Sequence, residues 1–372
     1  MGSDEAHISM KDFIPRMAEH IRGKGKEVVV WSPGGPHDKD SVLMCWGENE
    51  AGARMDKNMK PLIILTGPTA VGKTALSIGL AKAVDGEIIS ADSMQVYRKM
   101  NIGTAKIEPE EMQGVRHHLI DILDPAEEFN VVLFKKYALR AMEDIYSRGK
   151  IPIIVGGTGF YIQALLYDID FEENDNDMSY REKLQNIADT HGKTFLHDML
   201  AEVDPESAEK IHENNVKRVI RALEFYKKTG MKISEHNETE SQKKSPYNFE
   251  YFVLNDDRQK LYDRIDRRID IMLEAGLLDE VKLLVSEGYS RELVSMQGLG
   301  YKEIIDYIQG RCTLDEAVYT LKRDTRHFAK RQITWFKREK HVTWVDKSEY
   351  DSESEILSFM LDRLREKEII QR

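Results

Sequence analysis

Short runs of apolar residues alternate with longer segments of helical period from about residue 60 onwards. The apolar runs predict buried strands at Leu62–Leu65, Glu87–Ser90, Ile151–Val155 and Phe249–Leu254, with a last edge strand at Val342–Val345. Helices are predicted between them, at residues 75–84, 130–148, 159–167, 258–275, 277–287, 301–309, 314–339 and 352–368. This alternation predicts an α/β fold, in which helices flank a parallel sheet.

Two stretches depart from this alternation and define the predicted domains. Residues 1–58 form a leader of unknown role, either poorly ordered or an appendage, with one candidate strand at Glu27–Trp31. Residues 171–250 open with an acidic run and continue as polar helices, which predicts a helical insertion or lid. The core is therefore predicted to comprise residues 59–170 and 251–346, followed by a C-terminal helix within residues 347–372.

A phosphate-binding motif follows the first core strand. The pattern G-x-x-x-x-G-K-[ST] is matched by Gly67, Pro68, Thr69, Ala70, Val71, Gly72, Lys73 and Thr74. Glycines let backbone N–H groups turn around an anion, and the following helix adds the positive end of its dipole. Lys73 then supplies a charge, and Thr74 a hydroxyl that can bind Mg²⁺. The predicted fold is therefore a P-loop NTPase-like sheet.

Further polar groups follow the ends of the next two strands. Asp92, after the second strand, is a candidate general base or metal ligand, and the alternative is a helix cap. The third strand ends in Gly156, Gly157 and Thr158, where a hydrolytic NTPase carries an Asp that organises Mg²⁺ and water. Because that Asp is missing, the sequence favours a diphosphate held as a leaving group over nucleotide hydrolysis.

Composition limits the possible classes and leaves one basic region. The chain has 54 Lys and Arg against 65 Asp and Glu, two cysteines, and no apolar run long enough to cross a bilayer. These features exclude a disulfide framework and a cysteine-rich zinc module, and they predict a cytoplasmic protein without a membrane segment. Leu321–Lys340, however, contains eight basic residues and two acidic ones, with Phe328, Trp335 and Phe336 among them. Such a helix suits phosphate contacts and base stacking, although a solvated surface is an equal alternative.

Eight ordered motifs between residues 60 and 346 resemble those of the bacterial tRNA dimethylallyltransferases, also called tRNA isopentenyltransferases. They are the phosphate loop and the segments Asp92–Tyr97, Ile102–Lys106, His117–Asp121, Gly156–Tyr161, Lys217–Glu224, Gly298–Glu303 and Lys330–Phe336. Eight motifs in order are far more specific than any one alone. Many eukaryotic relatives carry a C-terminal zinc finger, which two cysteines cannot form, so the bacterial type is favoured.

The resemblance implies transfer of a dimethylallyl group from dimethylallyl diphosphate to N6 of adenosine 37 in tRNA. It implies that the phosphate loop and Mg²⁺ hold the diphosphate, and that Lys73 and Arg331 neutralise it. Asp92 is expected to accept the proton of the adenine amine, and Thr158 to orient that amine or the bridging oxygen. The adenine must leave the stacked loop, so a flipped base in a tunnel is expected.

The resemblance also implies a set of tRNA contacts. These are Asp92, Ser93, Met94, Gln95, Thr158, Arg181, Lys217, Arg218, Val219, Ile220, Arg221, Gln297, Gly298, Leu299, Gly300, Tyr301 and Lys302. Two other functions are alternatives: a small-molecule kinase or ATPase, and an adenylate isopentenyltransferase with a free nucleotide as acceptor, although the basic helix and the helical insertion favour a polymeric acceptor. A third, an RNA-binding module without catalysis, does not explain a complete phosphate loop that faces a strand-end carboxylate. We expect a monomer, since no self-complementary apolar helix is evident.

Overall fold

The computed structural model describes residues 29–31, 42–44, 59–169 and 179–371. The chain divides into two compact units, residues 1–57 and 58–372. In the first unit, β1 (Val29–Trp31) pairs in parallel with β2 (Val42–Met44). The strand predicted at Glu27–Trp31 is thus present over its last three residues, and its partner was not predicted. The other residues of the predicted leader lie outside the described part of the chain.

The second unit is built on a six-stranded sheet. Its strands are β3 (Lys60–Thr66), β4 (Gly86–Ser90), β5 (His117–His118), β6 (Ile151–Gly156), β7 (Tyr247–Asn255) and β8 (Val342–Asp346). They are ordered β5-β4-β6-β3-β7-β8, and every pair is parallel. The predicted parallel α/β sheet is confirmed, and Val342–Asp346 is an edge strand as expected. The short β5 was not predicted.

Thirteen helices are described in this unit. They are α1 (Lys73–Ala83), α2 (Val131–Ser147), α3 (Gly159–Leu166), α4 (Ser179–His191), α5 (Lys193–Val203), α6 (Pro205–Lys210), α7 (Val216–Thr229), α8 (Ile233–Ser241), α9 (Arg258–Glu274), α10 (Leu277–Ser286), α11 (Tyr301–Ile308), α12 (Leu314–Phe336) and α13 (Glu353–Glu366). The eight core helices predicted from the sequence are all present within a few residues of their expected ends. Among the described residues, no helix combines the length and apolar character needed to cross a membrane.

Continuous apolar strands form the core because helices cover both faces of the sheet. All four side chains of Leu62–Leu65 in β3 are fully buried. A strand with only one buried face would alternate polar and apolar residues instead. Since all strands are parallel, their carboxyl ends meet at one edge of the sheet, where the phosphate loop, Asp92 and Thr158 follow β3, β4 and β6.

Helices α4 to α8 have an apolar core of their own. Leu184, Leu200, Val219 and Leu223 belong to it, and none is more than slightly exposed. Asp204 is buried between α5 and α6, where it accepts hydrogen bonds from the backbone N–H groups of Ser207 (3.1 Å) and Ser234 (3.0 Å). The described part of residues 171–250 is thus helical up to Ser241, whereas the acidic run Phe171–Asp177 lies outside the described residues.

Candidate active site

The phosphate loop forms a tight turn between β3 and α1. Gly67 has φ 146° and Gly72 has φ 99°, values at which a side chain would be strained. A Cβ on Gly67 would also lie 2.5 Å from the carbonyl oxygen of Leu254 in β7. Both glycines are therefore required by the backbone path. The turn ends at the N-terminus of α1, where free N–H groups favour an anion.

Lys73 occupies the centre of this loop. Its ammonium donates hydrogen bonds to the carbonyl oxygens of Gly67 (2.9 Å) and Pro68 (2.8 Å). Burial and the positive charge of Arg268 lower the pKa of Lys73 to about 7, against a smaller opposing effect of the Asp92 carboxylate. The ammonium form is therefore disfavoured until a negative charge joins it.

Two arginines of α9 lie beside the loop, and neither belongs to a motif of the sequence analysis. Arg264 donates from Nε to the carbonyl oxygen of Ala70 (3.0 Å) and pairs with Asp256 (2.7 Å). Burial and the charge of Arg264 lower the pKa of Arg268, which forms no ion pair with any described residue. Their spacing of four residues in a predicted helix was the available signal, because it places both on one face. Lys73 and Arg268 thus place two cationic side chains at the site, whereas Asp256 compensates the charge of Arg264.

Gln332 connects the phosphate loop to the loop after β6. Its side-chain oxygen accepts from the N–H of Thr69 (2.8 Å), and its amide donates to the carbonyl oxygen of Gly157 (3.0 Å). A Cβ on Gly157 would lie 2.2 Å from that amide nitrogen, so a larger residue there would displace the Gln332 amide. The sequence identifies Gln332 only as a member of a motif, because its role as a bridge depends on contacts across 263 residues of chain.

Asp92 uses one carboxylate oxygen for local structure and leaves the other available. Oδ1 accepts from the N–H groups of Met94 (2.8 Å) and Gln95 (3.3 Å). Within the described part of the chain, Oδ2 accepts no hydrogen bond. The capping and functional interpretations of Asp92 are therefore compatible. A half-buried carboxylate close enough to influence the pKa of Lys73 can take a proton from a group bound between them.

Thr158 is held beside Asp92 by the backbone. Its N–H donates to the carbonyl oxygen of Ala91 (3.3 Å), and a Cβ on Gly156 would lie 2.3 Å from that same oxygen. Thr158 stands at the N-terminus of α3, yet its hydroxyl caps no backbone N–H. The hydroxyl is thus available to a bound molecule.

Two predicted diphosphate and metal ligands are exposed. The guanidinium carbon of Arg331 lies 5.8 Å from the centre of the Phe328 ring, and the adjacent Gln332 contacts the phosphate loop instead. The role of Arg331 therefore stays a prediction. The Thr74 hydroxyl is exposed at the start of α1. This position fits Mg²⁺ bound mainly by phosphate oxygens and water, which needs only one or two protein ligands. The described residues contain no group of three or more His, Cys, Asp or Glu suited to a metal cage.

The predicted RNA contacts in the insertion divide into exposed and buried residues. Lys217, Arg218 and Arg221 of α7 are exposed, and they form no ion pair with any residue that the structure describes. The side chains of Val219 and Ile220 lie in the core of the insertion, with 0% and 4% exposure. They are not available to RNA, because the helix turns these positions inward.

Arg181 is already paired within the insertion. Its Nε and a terminal nitrogen donate to the two carboxylate oxygens of Glu224 (2.9 and 2.8 Å). Such a bidentate pair holds the guanidinium in one orientation. A contact between Arg181 and tRNA stays a prediction.

Residues 297–302 are brought next to the segment after β4. A Cβ on Gly298 would lie 2.5 Å from Cε of Met94, so these two predicted contact segments touch. Gln297 is exposed, whereas Gly298, Leu299 and Lys302 are partly buried and Gly300 is buried. Tyr301 is fully buried, and its hydroxyl donates to Glu280 (2.7 Å). The side chain of Tyr301 is thus part of the core, and a contact between this residue and RNA stays a prediction.

The basic helix α12 is partly neutralised by its neighbour α9. Arg326 pairs with both carboxylate oxygens of Asp266 (2.6 and 2.7 Å), and Lys322 pairs with Asp270 (2.5 Å). Lys330 and Arg338, farther along the chain, are exposed and have no ion pair among the described residues. The surface available for phosphate contacts is thus the C-terminal part of the basic segment.

This chain is similar to known proteins over most of its length. A model of the IPP transferase family matches residues 95–339. The tRNA dimethylallyltransferase of Lachnoclostridium phytofermentans is 63% identical over 313 residues, which are 84% of this chain and all of that protein. The tRNA dimethylallyltransferase of Acetivibrio thermocellus is 52% identical over 300 residues, 80% of this chain and 96% of that one.

Two solved structures are also similar to this chain over most of its length. The full-length tRNA isopentenylpyrophosphate transferase of Bacillus halodurans has 47% identity and a TM-score of 0.63, covering 83% of this chain and 98% of its own. A eukaryotic dimethylallyltransferase, studied in crystals as it acts on tRNA, has 32% identity and a TM-score of 0.69, covering 82% and 79%.

The parallel sheet and its glycine-rich anion loop define an α/β protein of the P-loop class, with a strand-end carboxylate beside the loop. The family model covers the chain from the segment after β4 to just beyond α12, and the alignment with the Lachnoclostridium phytofermentans protein covers 313 residues. The chain belongs to the IPP transferase family and is a prenyltransferase.

Binding of inorganic diphosphate should draw a proton into the protein at about pH 8. There the free Lys73 amine is mostly neutral, because its pKa is about 7, and the bound anion favours the ammonium. Calorimetry in buffers of different ionisation enthalpy counts the protons. Lys73→Met should take up about one proton fewer than the wild type, and the difference should vanish at about pH 6, where Lys73 is already protonated. Lys82→Met, at the exposed end of the same helix, is the control. Equal uptake by Lys73→Met and the wild type would contradict the assignment.

Proposed function

We propose that this protein transfers the dimethylallyl group of dimethylallyl diphosphate to N6 of adenosine 37 in the anticodon loop of tRNA. The observation that carries the proposal is the cationic phosphate loop beside a carboxylate with an available oxygen, Lys73 on one side and Asp92 on the other. The names of relatives at 63% and 52% identity support the prenyl donor and the tRNA acceptor. We also propose that it acts as a monomer in the cytoplasm, where its substrate tRNA is found.

In this proposal the diphosphate is held by the phosphate loop, Lys73 and Arg268. Burial and the Arg268 charge lower the proton affinity of Lys73 in the free protein, so a bound anion offsets that repulsion. The same charges stabilise the negative charge that develops on the leaving oxygen as the C–O bond breaks. When bound, Mg²⁺ would be held by Thr74 and would add positive charge at these oxygens.

The acceptor amine attacks the allyl carbon from the opposite side. As the new C–N bond forms and the C–O bond to diphosphate breaks, the amine proton passes to Oδ2 of Asp92, which accepts no hydrogen bond from any described residue. The Thr158 hydroxyl, held beside Asp92, orients the amine or the bridging oxygen. An adenine stacked between its neighbours in the anticodon loop cannot bring its amine between Asp92 and the phosphate loop. The base is therefore flipped into a tunnel whose other mouth admits the diphosphate.

The acceptor distinguishes this function from its alternatives. Labelled dimethylallyl diphosphate and Mg²⁺ are incubated with unmodified tRNA carrying adenosines at positions 36 to 38, and separately with AMP or ATP. We expect label in tRNA alone. Label in AMP or ATP would favour an adenylate isopentenyltransferase, and nucleotide turnover without label transfer would favour a kinase or ATPase.

Asp92→Asn should slow transfer while leaving tRNA binding nearly unchanged. The amide keeps an oxygen for the N–H groups of Met94 and Gln95 but cannot accept the proton, so kcat should fall by about 10² to 10⁴. Single-turnover transfer measures the chemical step, and filter binding measures tRNA affinity. Asp85→Asn is the matched control, because Asp85 precedes the same strand at the opposite edge of the sheet and pairs there with Lys150. Near-normal kcat in Asp92→Asn would remove Asp92 as the base.

Neutralising Lys330 and Arg338 together should weaken tRNA binding and reduce its salt dependence. Removal of one cation that binds a phosphate should lower the slope of log affinity against log salt by about 0.7 to 0.9. The control is Arg326→Gln, whose charge is already compensated by Asp266. Its slope should equal that of the wild type. An unchanged slope in the Lys330→Gln, Arg338→Gln protein would exclude this surface as a binding site for tRNA.

A further inference from the structure

Glu280, in α10, lies outside every motif of the sequence analysis, and it is the centre of a hydrogen-bonded cluster. Its carboxylate accepts from three consecutive backbone N–H groups, those of Asn101 (3.0 Å), Ile102 (2.8 Å) and Gly103 (3.1 Å). It also accepts from the hydroxyl of Tyr301 (2.7 Å). Burial, followed by the nearby Glu280 carboxylate, raises the pKa of Tyr301, so this hydroxyl stays protonated and remains a donor.

The cluster leaves little freedom between the two segments that it joins. A Cβ on Gly103 would lie 2.6 Å from the Tyr301 ring, so the backbone of residue 103 packs directly on that ring. Tyr301 is fully buried at the first position of α11. The carboxylate and the ring therefore set the distance between residues 101–103 and residues 298–301.

Both segments are connected to the residues around Asp92. The Gln95 amide donates to the carbonyl oxygens of Thr104 and Ala105 (both 3.3 Å), which directly follow the segment held by Glu280. On the other side, Met94 packs against Gly298, three residues before Tyr301. The N–H groups of Met94 and Gln95 in turn hold Oδ1 of Asp92. Two series of contacts thus connect Glu280 with Asp92, the proposed general base.

We propose that Glu280 is a positioning residue for the acceptor half of the reaction. It holds residues 101–103 and 298–301 in one arrangement, so that Met94 and Gln95 present Asp92 to the acceptor amine in a single geometry. This inference rests on the proposed function. The four hydrogen bonds that Glu280 accepts come from residues 101–103 and Tyr301, which lie on the Asp92 side of the site. The phosphate loop contributes none of them, so we expect diphosphate binding to be independent of Glu280.

An amide cannot replace this carboxylate. A carboxylate only accepts hydrogen bonds, and here both oxygens face donors. Glutamine would turn an NH₂ group towards donors and leave some of them unpaired. Because positional errors near 1 Å are costly in an active site, Glu280→Gln should lower kcat/KM for tRNA about 10- to 100-fold. The KM for dimethylallyl diphosphate should stay within about twofold of the wild type, since the phosphate loop is untouched.

The experiment measures both substrates in the full-length protein and follows amide hydrogen exchange without substrates. In Glu280→Gln, the amides of Asn101, Ile102 and Gly103 should exchange faster. The control is Glu287→Gln, which removes a carboxylate directly after the same helix and breaks an ion pair with Lys99 (2.7 Å), a side-chain contact at the surface. Its kinetics and exchange should match the wild type. Tyr301→Phe removes one of the four hydrogen bonds and keeps the ring, so it should show a smaller effect of the same kind.

Each of the following four outcomes would overturn the inference. A normal kcat/KM for tRNA in Glu280→Gln would do so, as would a KM for dimethylallyl diphosphate raised well beyond twofold together with a lower Tm, which indicates a general contribution to stability. If Glu280→Gln does not fold, unchanged tRNA kinetics in Tyr301→Phe would overturn it. A wild-type protein that transfers no label to tRNA would remove the proposed function and this inference together, whereas an active wild type with a normal variant removes this inference alone.

Discussion

Like charges held close together are the constraint on which the candidate site depends. Lys73 and Arg268 are half-buried and close enough for the Arg268 charge to lower the pKa of Lys73, and burial lowers the pKa of each. Bringing cations out of water and towards each other costs free energy unless an anion compensates them. The carbonyl oxygens of Gly67 and Pro68 satisfy the hydrogen bonds of the ammonium but supply no full negative charge. The site is therefore built to bind a highly charged anion.

The fold holds the cationic phosphate loop and the Asp92 carboxylate in fixed positions relative to each other. Parallel strands bring the ends of β3, β4 and β6 to one edge, so groups from distant parts of the sequence become neighbours. Gln332 from α12 joins the phosphate loop to Gly157, and the Thr158 N–H joins the next turn to Ala91. Glu280 extends the same arrangement to the acceptor side. Polar bridges with glycines at close approaches therefore connect the two halves of the site.

The comparison of predicted and observed contacts shows what a motif can and cannot indicate. Lys217, Arg218 and Arg221 were predicted with Val219 and Ile220 as one run, but the helix exposes the charged residues and buries the apolar ones. Tyr301 belongs to a predicted contact segment, yet it is a core residue whose hydroxyl donates to Glu280. Arg326 belongs to the basic segment that suits phosphate contacts, but its charge is paired with Asp266. A motif marks a region, and side-chain direction decides which of its members are accessible.

The sequence alone determined the local features. These are the apolar strands, the core helices, the phosphate loop and the order of the motifs along the chain. These depend on periodicity and on residues whose backbone chemistry acts within one turn, as with Gly67, Gly72 and Lys73. Only the tertiary structure decided the roles of Gln332, Arg268 and Glu280, because their partners lie far away in the sequence. A hydrogen bond or a charge interaction depends on distances of a few ångströms in space. Such distances between remote segments are set by the packing of helices on the sheet, which no local pattern records.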